Sequence, residues 1–197
     1  MDGCQLDHRQ QEFGFFLVPG FSFIAFSSAI EPLRLANRVA NAELYTWSCY
    51  SLDGGSVVSS NGISVNVDGK YPEVGFIQNI IVCGGSDIHN QTNEKLVSKL
   101  RHLSSHGALL GSVCTGSHIL AKAGLLDGYK CTIHWENMDG FAEDFPEIRV
   151  SDDLFEIDRN RITCAGGTSS LDMMLNIIAN QYGHDTASLV SDMMLHH

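Results

Sequence analysis

The chain has 197 residues, 44% of them hydrophobic and 18% charged, which is enough for one domain with a sizeable core. Its formal net charge of −11 and its dispersed basic residues argue against direct contact with the phosphate backbone of DNA. No apolar run reaches the ~20 residues of a membrane-spanning helix, and the start of the chain holds no apolar signal core, so we expect a cytoplasmic protein.

In chain order, apolar runs that predict strands alternate with segments of helical spacing. The predicted strands are residues 13–18, 45–51, 63–67, 77–83, 108–113, 148–151, 154–158 and 162–165, with a short extended stretch at Val57. The predicted helices are residues 23–36, 93–106, 117–123, a segment between 136 and 146, 169–182 and 186–195. Pro32 lies inside the first helical pattern and predicts a kink or a break near Glu31.

The repeated order of strand, glycine loop and helix favours an α/β fold with a doubly wound, mainly parallel sheet and helices on both faces. Residues 1–12 are polar and predict a flexible N-terminus, and residues 13–197 predict a single domain, because no stretch has the composition of a linker.

The cysteine and histidine patterns predict neither disulfides nor a metal site. Six cysteines are scattered without a C-x-x-C pair, and we predict that all of them are reduced. No set of His, Cys and carboxylate residues has the spacing of metal ligands, so we predict no metal and no other cofactor. His196 and His197 end the chain, and an affinity tag would place the same residues there.

Glycine-rich turns follow four of the predicted strands and locate one site. Ligands bind beyond the carboxyl ends of such strands, so we expect Pro19-Gly20, Gly84-Gly85, Cys114 and Gly166-Gly167 to converge on one crevice. Gly166 and Gly167 would let a ligand approach the backbone, or would only permit close packing of a strand on a helix.

Cys114 lies where a buried strand turns sharply into a helix, as the nucleophile does in a strained elbow. The helix start favours a thiolate, and the N–H of Thr115 with that of Gly84 or Gly85 could form a cradle for an oxyanion or a carboxylate. The alternative is a small residue that merely fits a tight turn.

Three further side chains are candidates for the same crevice. His134 is a candidate base or a hydrogen-bonded structural histidine. Glu31 could be a buried carboxylate that contacts the thiol or a cationic ligand, or a solvated helix position. Trp135, followed by Glu136, could present an aromatic face to a quaternary ammonium group, or could belong to the core.

Five segments carry a resemblance that extends over almost the whole chain. They are residues 29–37 (AIEPLRLAN), 114–118 (CTGSH), 124–128 (GLLDG), 132–136 (TIHWE) and 164–168 (CAGGT). Together they resemble the ThiJ/PfpI-like branch of the class I glutamine amidotransferase superfamily and, more narrowly, the sensor domains of AraC-family regulators. The resemblance implies a flavodoxin-like sandwich, a homodimer, and DNA binding through a following domain with two helix-turn-helix units, which has no counterpart in this sequence.

The resemblance also implies a small-molecule effector, either an amino acid such as arginine or a quaternary amine such as glycine betaine or carnitine. Cys114, Glu31 and His134 match positions that carry catalysis in enzymes of the superfamily and bind ligand in its regulators. A cysteine-dependent hydrolase or hydratase that uses these three residues is the alternative function. A redox sensor based on an exposed Cys114 thiol of low pKa is a third.

Overall fold

The computed structural model describes residues 10–196, so positions 1–9 and 197 lie outside the described residues. Most of the segment predicted to be flexible, including Cys4, therefore lies outside them, as does His197. The first strand begins at Gln11, two residues earlier than the apolar run at Phe13 indicated.

Two short strands, at residues 69–70 and 130–131, were not predicted, and the others lie close to the segments that the apolar runs indicated. They are β1 (Gln11–Leu17), β2 (Tyr45–Ser51), β3 (Val57–Val58), β4 (Ser64–Val65), β5 (Gly69–Lys70), β6 (Asn79–Cys83), β7 (Leu109–Val113), β8 (Lys130–Cys131), β9 (Arg149–Val150), β10 (Phe155–Asp158) and β11 (Arg161–Cys164). Single 3-10 turns occupy Tyr71–Glu73 and Trp135–Asn137.

The short helix at residues 88–91 was not predicted, and the other helices follow the predicted periodicity with shifts at their ends. They are α1 (Phe23–Ala40), α2 (Ile88–Gln91), α3 (Glu94–Ser105), α4 (Gly116–Lys122), α5 (Met138–Asp144), α6 (Ser169–Tyr182) and α7 (His184–Met193). The side chain of Asn93 caps α3 by accepting the N–H of Leu96 at 3.0 Å. Of the predicted kink or break in the first helix, the break is wrong, because α1 continues through Pro32, whose ring is buried.

One sheet forms the centre of the domain, with strand order β10-β11-β7-β6-β1-β2-β5. Every pairing in it is parallel except that of β10 with β11. Helices α1, α6 and α7 cover one face, and α3, α4 and α5 cover the other. The predicted α/β, doubly wound, mainly parallel fold is therefore confirmed.

Alternation along the central strands supplies both cores. In β1, Phe13 and Phe15 face the α1 side, whereas Phe16 faces the α3 side. In β6, Ile81 faces the α1 side and Ile80 faces the α3 side. Strands buried on both faces read as continuous apolar runs, which is why these two were conspicuous in the sequence.

The described cysteines are free and buried, at positions 49, 83, 114, 131 and 164. Within residues 10–196, none of the helices has both the length and the apolar character needed to cross a bilayer.

Candidate functional site

Cys114 lies at the turn between β7 and α4 in the left-handed backbone region, with φ of 59°. This conformation is costly for a residue with a side chain, so packing around the turn must hold it. Two glycines allow that packing. A Cβ on Gly116 would lie 2.4 Å from the carbonyl oxygen of Val82, and one on Gly166 would lie 2.9 Å from Cα of Cys114. The predicted strained elbow is therefore present.

The thiol of Cys114 is buried, with the residue only 8% exposed. Burial raises the pKa of this thiol, and hydrogen bonds from the Thr115 N–H and the Ser22 hydroxyl only partly oppose that effect. This shift is opposite to the thiolate expected at the helix start, because the removal of the thiol from water outweighs the nearby donors.

The backbone cradle differs from the predicted one at Gly84. The Gly84 N–H donates to the carbonyl oxygen of Val113 at 3.2 Å, so it does not point at a ligand. Gly84 instead permits close packing, since a Cβ there would lie 2.3 Å from the backbone nitrogen of Gly116. Gly85 does line the crevice, and its carbonyl accepts the Thr115 hydroxyl at 2.8 Å.

The crevice beside Cys114 has a volume of about 340 Å³, near the lower end of the range for small-molecule pockets. It lies beyond the carboxyl ends of β6 and β7, as a parallel sheet predicts. Its lining residues are Ser22, Ser60, Gly85, Ser86, Asp87, Ile88, His89, Cys114, Thr115, His134, Glu136 and Asn137. Hydroxyl, imidazole and carboxylate groups dominate this lining.

His134 lines the crevice, and its backbone N–H donates to the carbonyl oxygen of Cys114 at 3.3 Å. Its ring contacts Glu136: Nδ1 accepts the Glu136 N–H at 3.4 Å and lies 3.8 Å from the carboxylate. Glu136 therefore orients the imidazole of His134. In the sequence, Glu136 was identified only as a negative charge next to Trp135.

Glu31 does not belong to the crevice. It lies in the third turn of α1, where its carboxylate accepts two hydrogen bonds from Arg34, at 2.6 and 2.9 Å. Its side chain is 44% exposed, so the solvated alternative is the one the structure adopts. At the start of α1, it is the hydroxyl of Ser22 that faces the thiol.

Trp135 is 71% exposed, so the core alternative is wrong, and the residue is absent from the crevice lining. Its ring lies 5.9 Å from that of His134, at the outer edge of the site. Gly166 and Gly167 also lie outside the lining, and Gly166 serves close packing on Cys114.

Sequence reasoning missed Ser60, Ser86, Asp87, His89 and Asn137, which all line the crevice. Asp87 adopts a left-handed conformation, with φ of 57°, in the turn that follows Gly85. The glycine turn after β6 could have indicated Ser86 and Asp87, because residues next to such a turn face the same edge of the sheet. Ser60 and Asn137 come from loops and carry no comparable signal.

We expect iodoacetamide to alkylate Cys114 more slowly at pH 7 than it alkylates an exposed cysteine of the same chain. A raised pKa leaves less thiolate at every pH below it, so the rate should still rise with pH where an ordinary thiol has levelled off. Peptide mass spectrometry of a Ser98→Cys variant, whose new thiol lies on the exposed side of α3, measures both rates together. A Cys114 profile that levels off at lower pH than that of the reference thiol would contradict a raised pKa.

A doubly wound sheet with a cysteine on a strained strand-to-helix turn defines a class of flavodoxin-like α/β proteins. Within that class, the chain belongs to the DJ-1/PfpI family, which it matches over residues 15–180. The family assignment and the resemblance drawn from the five sequence segments agree.

Two curated relatives from Pseudomonas aeruginosa are HTH-type transcriptional regulators. CdhR is 48% identical over 182 residues, which make up 92% of this chain and 54% of that protein. GbdR is 42% identical over 190 residues, which make up 96% of this chain and 52% of that protein. The chain therefore spans about half the length of the curated relatives it matches.

A crystal structure of an AraC family transcriptional regulator from Pseudomonas putida has the same fold. It matches with a TM-score of 0.83 at 28% identity, and the match covers 93% of this chain and 99% of that chain.

Proposed function

We propose that this chain is the effector-binding domain of an AraC-type transcriptional regulator, and that a small amine or amino acid binds in the crevice beside Cys114. The observation that carries the proposal is a polar, open crevice built around the buried side chain of Cys114. Similarity to regulators over nearly the whole chain supports it.

The crevice suits a ligand that bears a positive charge. The carboxylates of Asp87 and Glu136 enter from two different loops and favour an ammonium group. The same crevice also contains the backbone of Gly85 and the hydroxyl groups of Ser22 and Ser86, which provide hydrogen-bonding groups for a carboxylate. An amino acid or a betaine carries an ammonium group and a carboxylate in one small molecule, so it could contact both sets of groups.

The surroundings of the Cys114 thiol favour a ligand-binding function over the alternative function as a cysteine hydrolase or hydratase. Nucleophilic catalysis requires a thiolate and a base that takes its proton. Here burial raises the pKa of Cys114, and the His134 ring contacts Glu136. The same burial disfavours the redox-sensor alternative, because oxidation follows thiolate character and exposure.

DNA contact belongs, in this proposal, to a part of the regulator outside the region that the chain matches. The net charge of −11 would oppose phosphate binding by the chain itself. Ligand binding would then act through a homodimer or an attached DNA-binding domain, provided that the effector has different affinities for the two states.

Isothermal titration with glycine betaine, carnitine and arginine tests the proposal. We expect at least one of them to bind saturably and to be recovered unchanged. Glu136→Gln should weaken that binding about tenfold, because a charge-assisted contact is lost. Cys114→Ala should retain the binding, since a receptor does not need the thiol as a nucleophile.

Glu143→Gln is the matched control, because this carboxylate lies on the exposed side of α5 and does not line the crevice. The proposal fails if none of the compounds binds. It also fails if the wild-type chain consumes a compound that Cys114→Ala leaves intact, which is the result expected of the hydrolase.

A further inference from the structure

Three helices bring together a cluster of two histidines and one aspartate. His89 comes from α2, His118 from α4, and Asp144 from the end of α5. One potential ligand atom from each residue lies within 4.8 Å of those of the other two. The two imidazole rings lie 4.4 Å apart, with an interplanar angle of 75°.

His118 is buried without a normal hydrogen bond on its ring. The residue is 5% exposed, and its Nδ1 has no partner among the residues that the structure describes. Its Nε2 lies 3.7 Å from a carboxylate oxygen of Asp144, which is longer than a hydrogen bond. A buried polar group left in this way is costly, and an ion at the site is one of the accepted explanations.

The unpartnered ring adjoins a cavity of about 110 Å³. His89 and His118 both line it, next to Ile133 and Phe141. A water molecule occupies about 30 Å³ in the liquid, so this space has room for an ion with one or two waters. His89 and Asp144 are exposed, which gives an ion a path from solvent.

We propose that His89, His118 and Asp144 bind a divalent transition-metal ion, for which Zn²⁺ is the best match. Two imidazoles and one carboxylate suit zinc and its neighbours in the transition series, whereas Mg²⁺ and Ca²⁺ take mainly oxygen ligands. Three protein ligands leave a coordination position for water or for a small molecule. This site is additional to the proposed effector function and does not depend on it.

The metal site and the effector crevice share part of their walls. Ile88, His89, Glu136 and Asn137 line both cavities. An ion held by His89 would therefore fix the short helix α2, which also forms one side of the crevice. The spacing of the ligands in the chain gave no sign of this site, because each lies on a different helix.

A calorimetric titration of the reduced chain with Zn²⁺ tests the proposal. We expect the wild-type chain to bind a single equivalent saturably. His89→Ala and Asp144→Asn should each weaken this binding at least about tenfold, because even loss of an outer-shell partner costs about that much. Both residues are exposed, so the variants should melt at nearly the temperature of the metal-free wild-type chain. Added Zn²⁺ should raise the melting temperature of the wild-type chain but not that of the variants.

Two controls separate this site from other histidines. His102→Ala disrupts the exposed pair of His102 and His106, whose rings lie 4.3 Å apart. A second variant replaces His196 and His197, of which His196 contacts Asp172 at 2.7 Å. Both controls should bind Zn²⁺ as the wild-type chain does. The proposal is overturned if the wild-type chain shows no saturable binding, or if its binding survives unchanged in His89→Ala and Asp144→Asn.

Discussion

Gly166→Ala is expected to lower the free energy of unfolding by about 3 kcal/mol and to displace Cys114 from the crevice. Two costs combine at this position. The backbone is left-handed, with φ of 94°, and the added Cβ would lie 2.9 Å from both Cα and Cβ of Cys114. Neither atom of Cys114 can move freely, because the elbow itself is held in a strained conformation.

Gly167→Ala is the matched control, because the next residue is also left-handed, with φ of 61°, but a Cβ added there would have nothing within 4 Å. We expect it to cost only about 1 kcal/mol, from backbone strain alone. Urea denaturation of both variants measures the difference, and titration with an effector identified on the wild-type chain reports on the crevice. Equal losses of stability would refute the view that Gly166 is required for packing on the elbow.

Arg161→Met should also cost about 3 kcal/mol, although Arg161 lies far from the crevice. The guanidinium is buried and donates to the carbonyl oxygen of Leu125 at 2.6 Å and to the hydroxyl of Ser104 at 2.8 Å. Methionine keeps much of the volume but leaves these acceptors without a donor. Leu125 belongs to the GLLDG segment, so Arg161 holds that turn against the sheet.

Arg159→Met provides the comparison for Arg161. Arg159 is exposed, pairs with Asp158 and lies over the ring of Tyr129 at 3.8 Å. Exposed ion pairs contribute little, so we expect a loss below about 1 kcal/mol. Thermal and urea unfolding of the two variants give both values. Comparable losses for the two arginines would show that burial and the Leu125 contact do not account for the role of Arg161.

Most of the architecture could be predicted from the sequence. The apolar runs at β1, β6 and β7 and the helical spacing of α3 and α6 located these elements to within two residues. Each pattern reports the burial of one segment, and burial on both faces of a sheet requires a continuous apolar run. The predicted break at Pro32 was wrong because packing of the helix outweighed the local preference of proline.

The site was predictable only in part. Cys114 was identified because a buried strand, a turn and a helix follow one another directly in the sequence. Glu31 was assigned to the site because apolar residues flank it in the chain. In the structure, its position on α1 directs the side chain towards Arg34 and solvent. Trp135 and Gly84 lie beside the crevice without facing it, since adjacent residues point in different directions.

The sequence by itself determined the order of strands and helices, the two-sided core and the position of the elbow. These follow from periodicity and from turn residues, which act over a few neighbouring positions. Only the tertiary structure decided that the Cys114 thiol is buried, which raises its pKa, and that His89, His118 and Asp144 meet. Both outcomes depend on segments that are distant in the sequence. Packing across the layers of the fold decides which of these segments exclude water from the thiol and which bring the three ligand residues together.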